Sequence, residues 1–394
     1  MLDPKKQQSI KYILFSAIYF SEGIQLAITT VIVPIYLLEK NFSPAIVTLI
    51  AGSVMIPWAL KFLFGWIVDS FPHINRKYFA LYGGIISAVG LLLLGFSTLF
   101  FNVALFIILL LLAQVGIGLL DVSVDAWAIE TTKTTERGKI NGSMMAGFFT
   151  GAAAGATMLS FIAENNGYPI SFITAGITIL LIMLLPALTK KPLDIKRKKP
   201  LKTLFIKEFK KKTTLKIALL LPIISINSGL ITLATPLFMN IELNLSITHI
   251  GLIATMFTMG RILGSISLGC LSDYIKREKL LLIIVILSMI STTLLIFTDS
   301  MMSATVFYAI NGFFNGGLFS ILLATSMDRT NAKLGALQFS ILISLMNSGE
   351  LIGELISGSL ITLLGFTKFF LFASWILGPS LLLLFIMIKT KETD

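Results

Sequence analysis

The chain of 394 residues has one cysteine, Cys270, and only two histidines, His73 and His249, far apart in sequence. A disulfide framework needs cysteine pairs, and thiolate or imidazole metal centres need clustered ligands, so neither is expected. No metal and no cofactor enters the reading. Charge is scarce as well. Asp, Glu, Lys and Arg make up 13% of the residues, about half the share of an average soluble domain. The G-x-x-x-x-G-K-[ST] loop that cradles nucleotide phosphates is absent, and so is the H-E-x-x-H helix of zinc proteases. Acidic residues number 20 against 31 basic ones, a net charge of +11. That excess invites a nucleic-acid partner, but such a partner needs the basic groups gathered on one folded surface.

They are instead set between long apolar runs. The chain is 56% hydrophobic, in unbroken runs of about twenty residues, the length that crosses a hydrocarbon core about 30 Å thick. Twelve spans are expected near 11–38, 45–69, 77–100, 103–130, 139–163, 168–189, 215–240, 246–273, 279–298, 302–328, 335–364 and 367–389. Of the 31 Lys and Arg, 27 fall in the termini and the even-numbered connections, while the odd-numbered connections hold only Lys40 and Lys368. By the positive-inside rule both termini lie in the cytoplasm, and the lipid bilayer rather than nucleic acid is the partner. A multi-pass protein of the plasma membrane is expected. The first apolar run is too long for a signal peptide, contains Glu22 and lacks a small-residue cleavage site.

The stretch 190–216 carries twelve basic residues and divides the spans six and six. Domains are therefore expected at 1–189 and 215–394, joined by a basic cytoplasmic linker at 190–214. Leu201, Leu204, Phe205 and Phe209 recur at helical spacing among the lysines, which suits either an amphipathic helix on an anionic leaflet or a solvated linker.

The two halves repeat one another. Span 2 ends GWIVD (Gly65 to Asp69), followed by Arg76 and Lys77. Span 8 ends GCLSD (Gly269 to Asp273), followed by Lys276, Arg277 and Lys279. Gly147, Gly151 and Gly155 in span 5 correspond to Gly349 and Gly353 in span 11, at the four-residue spacing that lets helices approach closely.

On these residues the chain resembles the major facilitator superfamily over essentially its full length. The family's loop motif after spans 2 and 8 matches Gly65, Asp69, Arg76 and Lys77, then Gly269, Asp273 and Arg277, although Pro72-His73-Ile74 stands where a glycine is usual. Glu130 and Arg137 match the E-x6-R spacing of sugar-transporting members. PWALKFLFGWIVD (57–69) and DVSVDAWAIE (121–130) look like the muropeptide-permease and acetyl-coenzyme-A transporter branch, with the folate–biopterin branch next closest. The resemblance implies an all-α membrane protein of two pseudo-symmetric six-helix bundles that rock about a central site lined by spans 1, 4, 7 and 10. Asp69, Arg76, Glu130, Arg137, Asp273 and Arg277 would then gate one end.

Charged residues inside the spans carry the functional reading, because each costs about 2.5–3.5 kcal/mol at the bilayer centre and must face a partner or a cavity. They are Glu22, Lys61, Asp121, Asp125, Arg261, Glu350 and Glu354. At about 1.5 Å per residue, Asp125 lies about 8 Å and Asp121 about 13 Å below Glu130. The two aspartates share one helical face, where like charges repel. Either a cation neutralises the pair or one holds a proton. Lys61, about 12 Å from Asp69, is the matching cation. Asp121, Asp125 and Glu22 are the candidate proton-coupling residues, with Asp121 first as the deeper aspartate. Lys61 and Arg261 are candidate anion ligands, joined by Gln25, Asn227 and Asn311. Arg261 also has a simpler role open to it, neutralising Glu350 or Glu354, and mid-span asparagines, Asn315 and Asn347 among them, also serve as interhelical glue. Trp58, Trp66 and Trp127 read as packing or interfacial residues.

The expected function is secondary active transport of a small organic anion or anionic conjugate, coupled to protons. The alternatives are export of cationic or amphipathic compounds, suited by five acidic against two basic intramembrane residues, and a non-transporting receptor. An intramembrane aspartyl protease is disfavoured, because its carboxylates must face each other from different helices.

Overall fold

In hydrocarbon a backbone must satisfy its own hydrogen bonds, and a helix does so within one segment. The computed structural model describes residues 4–71, 73–98, 102–132, 137–189, 210–328 and 335–391, and among them it is helical with no strand. Ten helical segments are long and apolar enough to cross a membrane. Nine of them are span 1 (Lys11–Glu39), span 3 (Arg76–Ser97), span 4 (Val103–Thr131), span 5 (Lys139–Asn166), span 6 (Tyr168–Leu188), span 7 (Lys212–Ile241), span 8 (Ile247–Leu271), span 9 (Arg277–Phe297) and span 10 (Met301–Asp328). The tenth, Gln338–Lys389, is 52 residues long. Gly365 interrupts it at φ 72°, a conformation open to a residue without a Cβ, so this segment holds spans 11 and 12. Most of the basic linker, 190–209, lies outside the described residues.

Span 2 is the remaining crossing, and it departs from the single helix expected over 45–69. It is built of three pieces, Pro44–Ser53, Ile56–Ala59 and Lys61–Ser70. Pro57 has no N–H to give and its ring crowds the carbonyl four residues earlier. Tighter turn bonds take over: the N–H of Met55 donates to Gly52 O (2.9 Å), that of Trp58 to Met55 O (2.9 Å) and that of Leu63 to Leu60 O (2.8 Å). Asn347 Nδ2 donates to the Trp58 carbonyl at 3.0 Å. The interhelical role read for Asn347 is the one it performs here.

Packing groups the chain into two compact units, Met1–Tyr36 with Leu60–Lys198, and Leu37–Ala59 with Lys199–Asp394. In the first unit the glycine stripe of span 5 lies against span 1. Gly147 abuts the Ser16 backbone, Gly151 that of Phe20, and Gly155 meets Ile24 and Ala27. In the second unit the stripe of span 11 repeats the device on span 7, with Gly349 against Pro222 and Gly353 against Ile226. Single π-turns interrupt span 1 at Ile28–Ile32 and span 5 at Gly155–Leu159. Thr29 and Thr30 hydroxyls donate to the carbonyls of Gln25 (3.0 Å) and Leu26 (2.8 Å) there. Large apolar side chains such as Ile108, Leu181, Leu263 and Leu363 are exposed, as are Trp66 and Trp375, which suits helices solvated by lipid.

The glycine contact generates a direct test. A Cβ at Gly151 overlaps the Phe20 backbone, which cannot move aside as a side-chain tip can, whereas one at Gly142 meets nothing within 4 Å. Gly151→Val is expected to abolish the monodisperse peak in fluorescence-detected size exclusion. Gly142→Ala should keep it, gaining up to about 1 kcal/mol of helix propensity. Equal behaviour of the two variants would rule out close packing of spans 1 and 5.

Candidate functional site

Spans 1, 2 and 4 bring the intramembrane charges of the first unit together. The break in span 2 leaves Lys61 as the first residue of Lys61–Ser70, at the positive end of a helix dipole, which disfavours an ammonium. A carboxylate must hold it there. Its Nζ pairs with Asp121 Oδ2 and lies 4.0 Å from Asp125 Oδ2. The two aspartates differ sharply in access: the Asp121 side chain is 3% exposed and that of Asp125 45%.

Tyr19 of span 1 closes the cluster. Its hydroxyl contacts Asp125 Oδ1 and lies 3.3 Å from Asp121 Oδ1. One turn along the same helix, Glu22 is 1% exposed and within electrostatic range of Asp121, Lys61 and Asp125. Glu22 Oε1 and both amide atoms of Gln25 are buried with no hydrogen bond to another described residue. Further along the seam Gln114 Nε2 donates to Thr29 Oγ1 at 2.6 Å. Three carboxylates, Asp121 and Glu22 buried and Asp125 partly exposed, thus lie around one ammonium.

The second unit has its own, sparser set. Arg261 lies between two aromatic rings, its guanidinium carbon 5.9 Å from the centroids of both Phe257 and Phe319, with Glu350 in electrostatic range. Glu350 accepts from Ser228 Oγ at 2.8 Å, and Glu354 is buried. The amides of the other two named residues are committed to neighbouring helices. Asn227 Nδ2 donates to Ala373 O (2.6 Å), and Asn311 Nδ2 to the hydroxyls of Ser291 and Thr292 (3.1 Å each). These contacts fit the interhelical role.

One end of each unit is tied by an arginine. Arg76 pairs with Asp69 and, at 3.3 Å, with Glu130. Arg277 pairs with Asp273 at 3.4 Å and with Asp328 at 2.5 Å. In both units the loop-motif aspartate and the last acidic residue of the following even-numbered span, 4 or 10, grip one arginine. The sequence reading named Glu130 and missed Asp328, although the internal repeat was a signal for it. The side chain of Arg137, its other expected partner, lies outside the described residues. At the same end of the first unit, Lys11 Nζ donates to Thr131 O (2.8 Å) and Lys77 Nζ to the carbonyls of Ala187 (3.3 Å) and Thr189. Both place cations at helix C-termini, where the dipole favours them.

The sequence profile of the Major Facilitator Superfamily matches residues 15–225 and 217–394. The chain belongs to the Major Facilitator Superfamily. It is a multi-pass membrane protein. Among solved structures, a bacterial homologue of the human lysosomal transporter Spinster is similar in two states. The inward-facing, occupied form gives a TM-score of 0.77 at 14% identity, covering 99% of this chain and 98% of that one. The inward-facing, unoccupied form gives 0.71 at 15%, covering 98% and 96%. These likenesses establish the facilitator fold. Folate transporter 1 of Plasmodium falciparum (isolate 3D7) is 31% identical over 103 residues, 25% of this chain and 20% of that protein, so the match spans a fifth of the relative's length.

The two arginine clamps of this superfamily member differ in burial, and stability should follow. The Arg76 side chain is 5% exposed, whereas Arg277 is 22% exposed and both of its carboxylates are mostly open. Exposed pairs contribute about 1 kcal/mol or less, while breaking a buried pair costs about 3–5 kcal/mol. In detergent, Arg76→Ala is expected to lower Tm by several degrees more than Arg277→Ala does. A larger loss at Arg277 contradicts the assignment.

Proposed function

We propose that this protein is a transporter that works by alternating access in the plasma membrane, with both termini cytoplasmic, and couples proton movement to that of a small organic anion or anionic conjugate. The observation that carries the reading is the charge imbalance in the first unit, where Lys61 faces Asp121, Asp125 and Glu22. Burial disfavours uncompensated charge, so the dry form of such a site retains protons that a wet form can lose. The sequence placed Asp121 first as the proton carrier. With Lys61 seated on Asp121, the same logic moves the first choice to Asp125, with Glu22 beside it.

Lys61 is also the proposed anion ligand, since a substrate carboxylate or phosphate can take the place of Asp121 once that aspartate is neutral. Gln25, buried beside Glu22 with open hydrogen-bonding capacity, joins it, and Arg261 is the corresponding cation of the second unit. The partial relative named as a folate transporter handles an organic anion by name, which supports the anionic class. Asp69, Arg76, Glu130, Arg137, Asp273 and Arg277 are proposed as gating residues whose contacts are made in one conformation and lost in another. The second reading, an exporter of cationic or amphipathic compounds, draws on the excess of Glu22, Asp121, Asp125, Glu350 and Glu354 over Lys61 and Arg261.

A thermal-shift screen of purified protein against carboxylates, nucleotides, sugars and lipophilic cations separates the classes, since a ligand stabilises in proportion to RT ln(1 + [L]/Kd). Carboxylates or phosphates are expected to raise Tm. A response confined to lipophilic cations favours the exporter. With the stabilising anion in proteoliposomes, Lys61→Ala should abolish uptake while leaving membrane expression intact. Asp125→Asn should lose accumulation on an imposed pH gradient yet keep substrate exchange. Unimpaired accumulation by Asp125→Asn, Asp121→Asn and Glu22→Gln alike removes proton coupling through these carboxylates.

A further inference from the structure

Tyr19 has no part in the sites above beyond its contacts, yet its hydroxyl touches both aspartates of span 4. A phenol has one hydrogen to donate and lone pairs to accept with. Shared between two carboxylates, that hydrogen makes only a divided, three-centre bond. When one aspartate carries a proton and gives it to the phenol oxygen while the phenol donates to the other, both contacts become full hydrogen bonds. The arrangement suits a proton shared between Asp125, the more exposed of the two, and Asp121, which is buried.

We infer that Tyr19 is a proton relay, passing a proton taken up at the exposed Asp125 to the buried Asp121 and so releasing Lys61. This rests on the proton-coupled reading and names the route it requires. The step balances. The Asp125 O–H bond breaks as its proton forms a bond to the Tyr19 oxygen, the original Tyr19 O–H bond breaks, and that proton bonds to Asp121. Tyrosine ends as it began, Asp125 becomes a carboxylate and Asp121 a neutral acid. Lys61 loses its counter-charge at Asp121 but finds the new carboxylate of Asp125 4.0 Å away, or an anionic substrate. The charged groups around Tyr19 are Asp125 and Asp121 of span 4 and Glu22 of its own span, with Lys61 of span 2 reaching it through the aspartates. Separating the point of entry from the point of release lets water wet Asp125 without wetting the Lys61–Asp121 pair. A merely structural hydroxyl, fixing two side chains in place, would leave proton transfer rates untouched.

The test needs no substrate. Full-length protein in detergent is subjected to an acid pH jump while infrared difference spectra follow the carbonyl band of protonated carboxyl groups, with Asp121→Asn and Asp125→Asn assigning the two bands. In the wild type both bands should rise. In Tyr19→Phe, which keeps the ring and loses the hydroxyl, the Asp125 band should rise as before and the Asp121 band should lag by about tenfold or more. That threshold is conservative, below the roughly 10²–10⁴-fold that a positioned proton-transfer group supplies. Asp125→Asn should delay the Asp121 band in the same way, a second route to the answer if the phenylalanine variant folds poorly. An Asp121 band rising at the wild-type rate in both variants overturns the relay. A wild type in which Asp125 titrates and Asp121 never does also overturns it, but leaves proton coupling through Asp125 standing. Silence of both bands overturns the relay together with the proton-coupled reading.

Discussion

The contact between Lys61 and Asp121 is the constraint around which the first unit is organised. An ammonium at the start of a helix, inside a membrane, is unfavourable on two counts, the dipole and the missing water. Asp121 offsets both. Its own burial is tolerable only because the lysine is there, so each ion is the reason the other can be charged. A buried pair of this kind adds little to stability against an apolar alternative. In the proposed mechanism it provides a state that changes when one proton arrives. Tyr19, Asp125 and Glu22 surround the pair.

The helix break in span 2 belongs to the same arrangement. A continuous helix over 44–70 would have no free N-terminus at Lys61, and the ammonium would not need its carboxylate in the same way. Pro57 and the tight turns around it end the helical run, and Asn347 takes up the Trp58 carbonyl. The two arginine clamps occupy equivalent places in the internal repeat, but only Arg76 is buried. The two clamps share their connectivity and differ in their environment.

Much of this was legible in the sequence. Run length marked the spans, and the repeated glycine–aspartate motif marked the internal repeat. Depth counting along spans 2 and 4 placed Lys61 level with Asp121, and the two are in contact. Which aspartate the lysine would choose was not legible, because it turns on rotamers and on a helix break that Pro57 permits but does not dictate. Asn227 and Asn311 were visible as mid-span amides, yet their partners, a carbonyl of span 12 and hydroxyls of span 9, depend on how helices far apart in sequence pack. The Tyr19 bridge belongs to the same class, since nothing in span 1 alone reveals that one hydroxyl meets two carboxylates. Asp328 was within reach, had the repeat been followed to the end of span 10.

The central claim is that protons travel with the substrate because three carboxylates share one cation. The most direct measurement uses wild-type protein in vesicles loaded with a pH-sensitive dye and energised only by a gradient of the stabilising anion. The account predicts that the lumen acidifies in step with anion entry. Anion entry at constant lumen pH contradicts it.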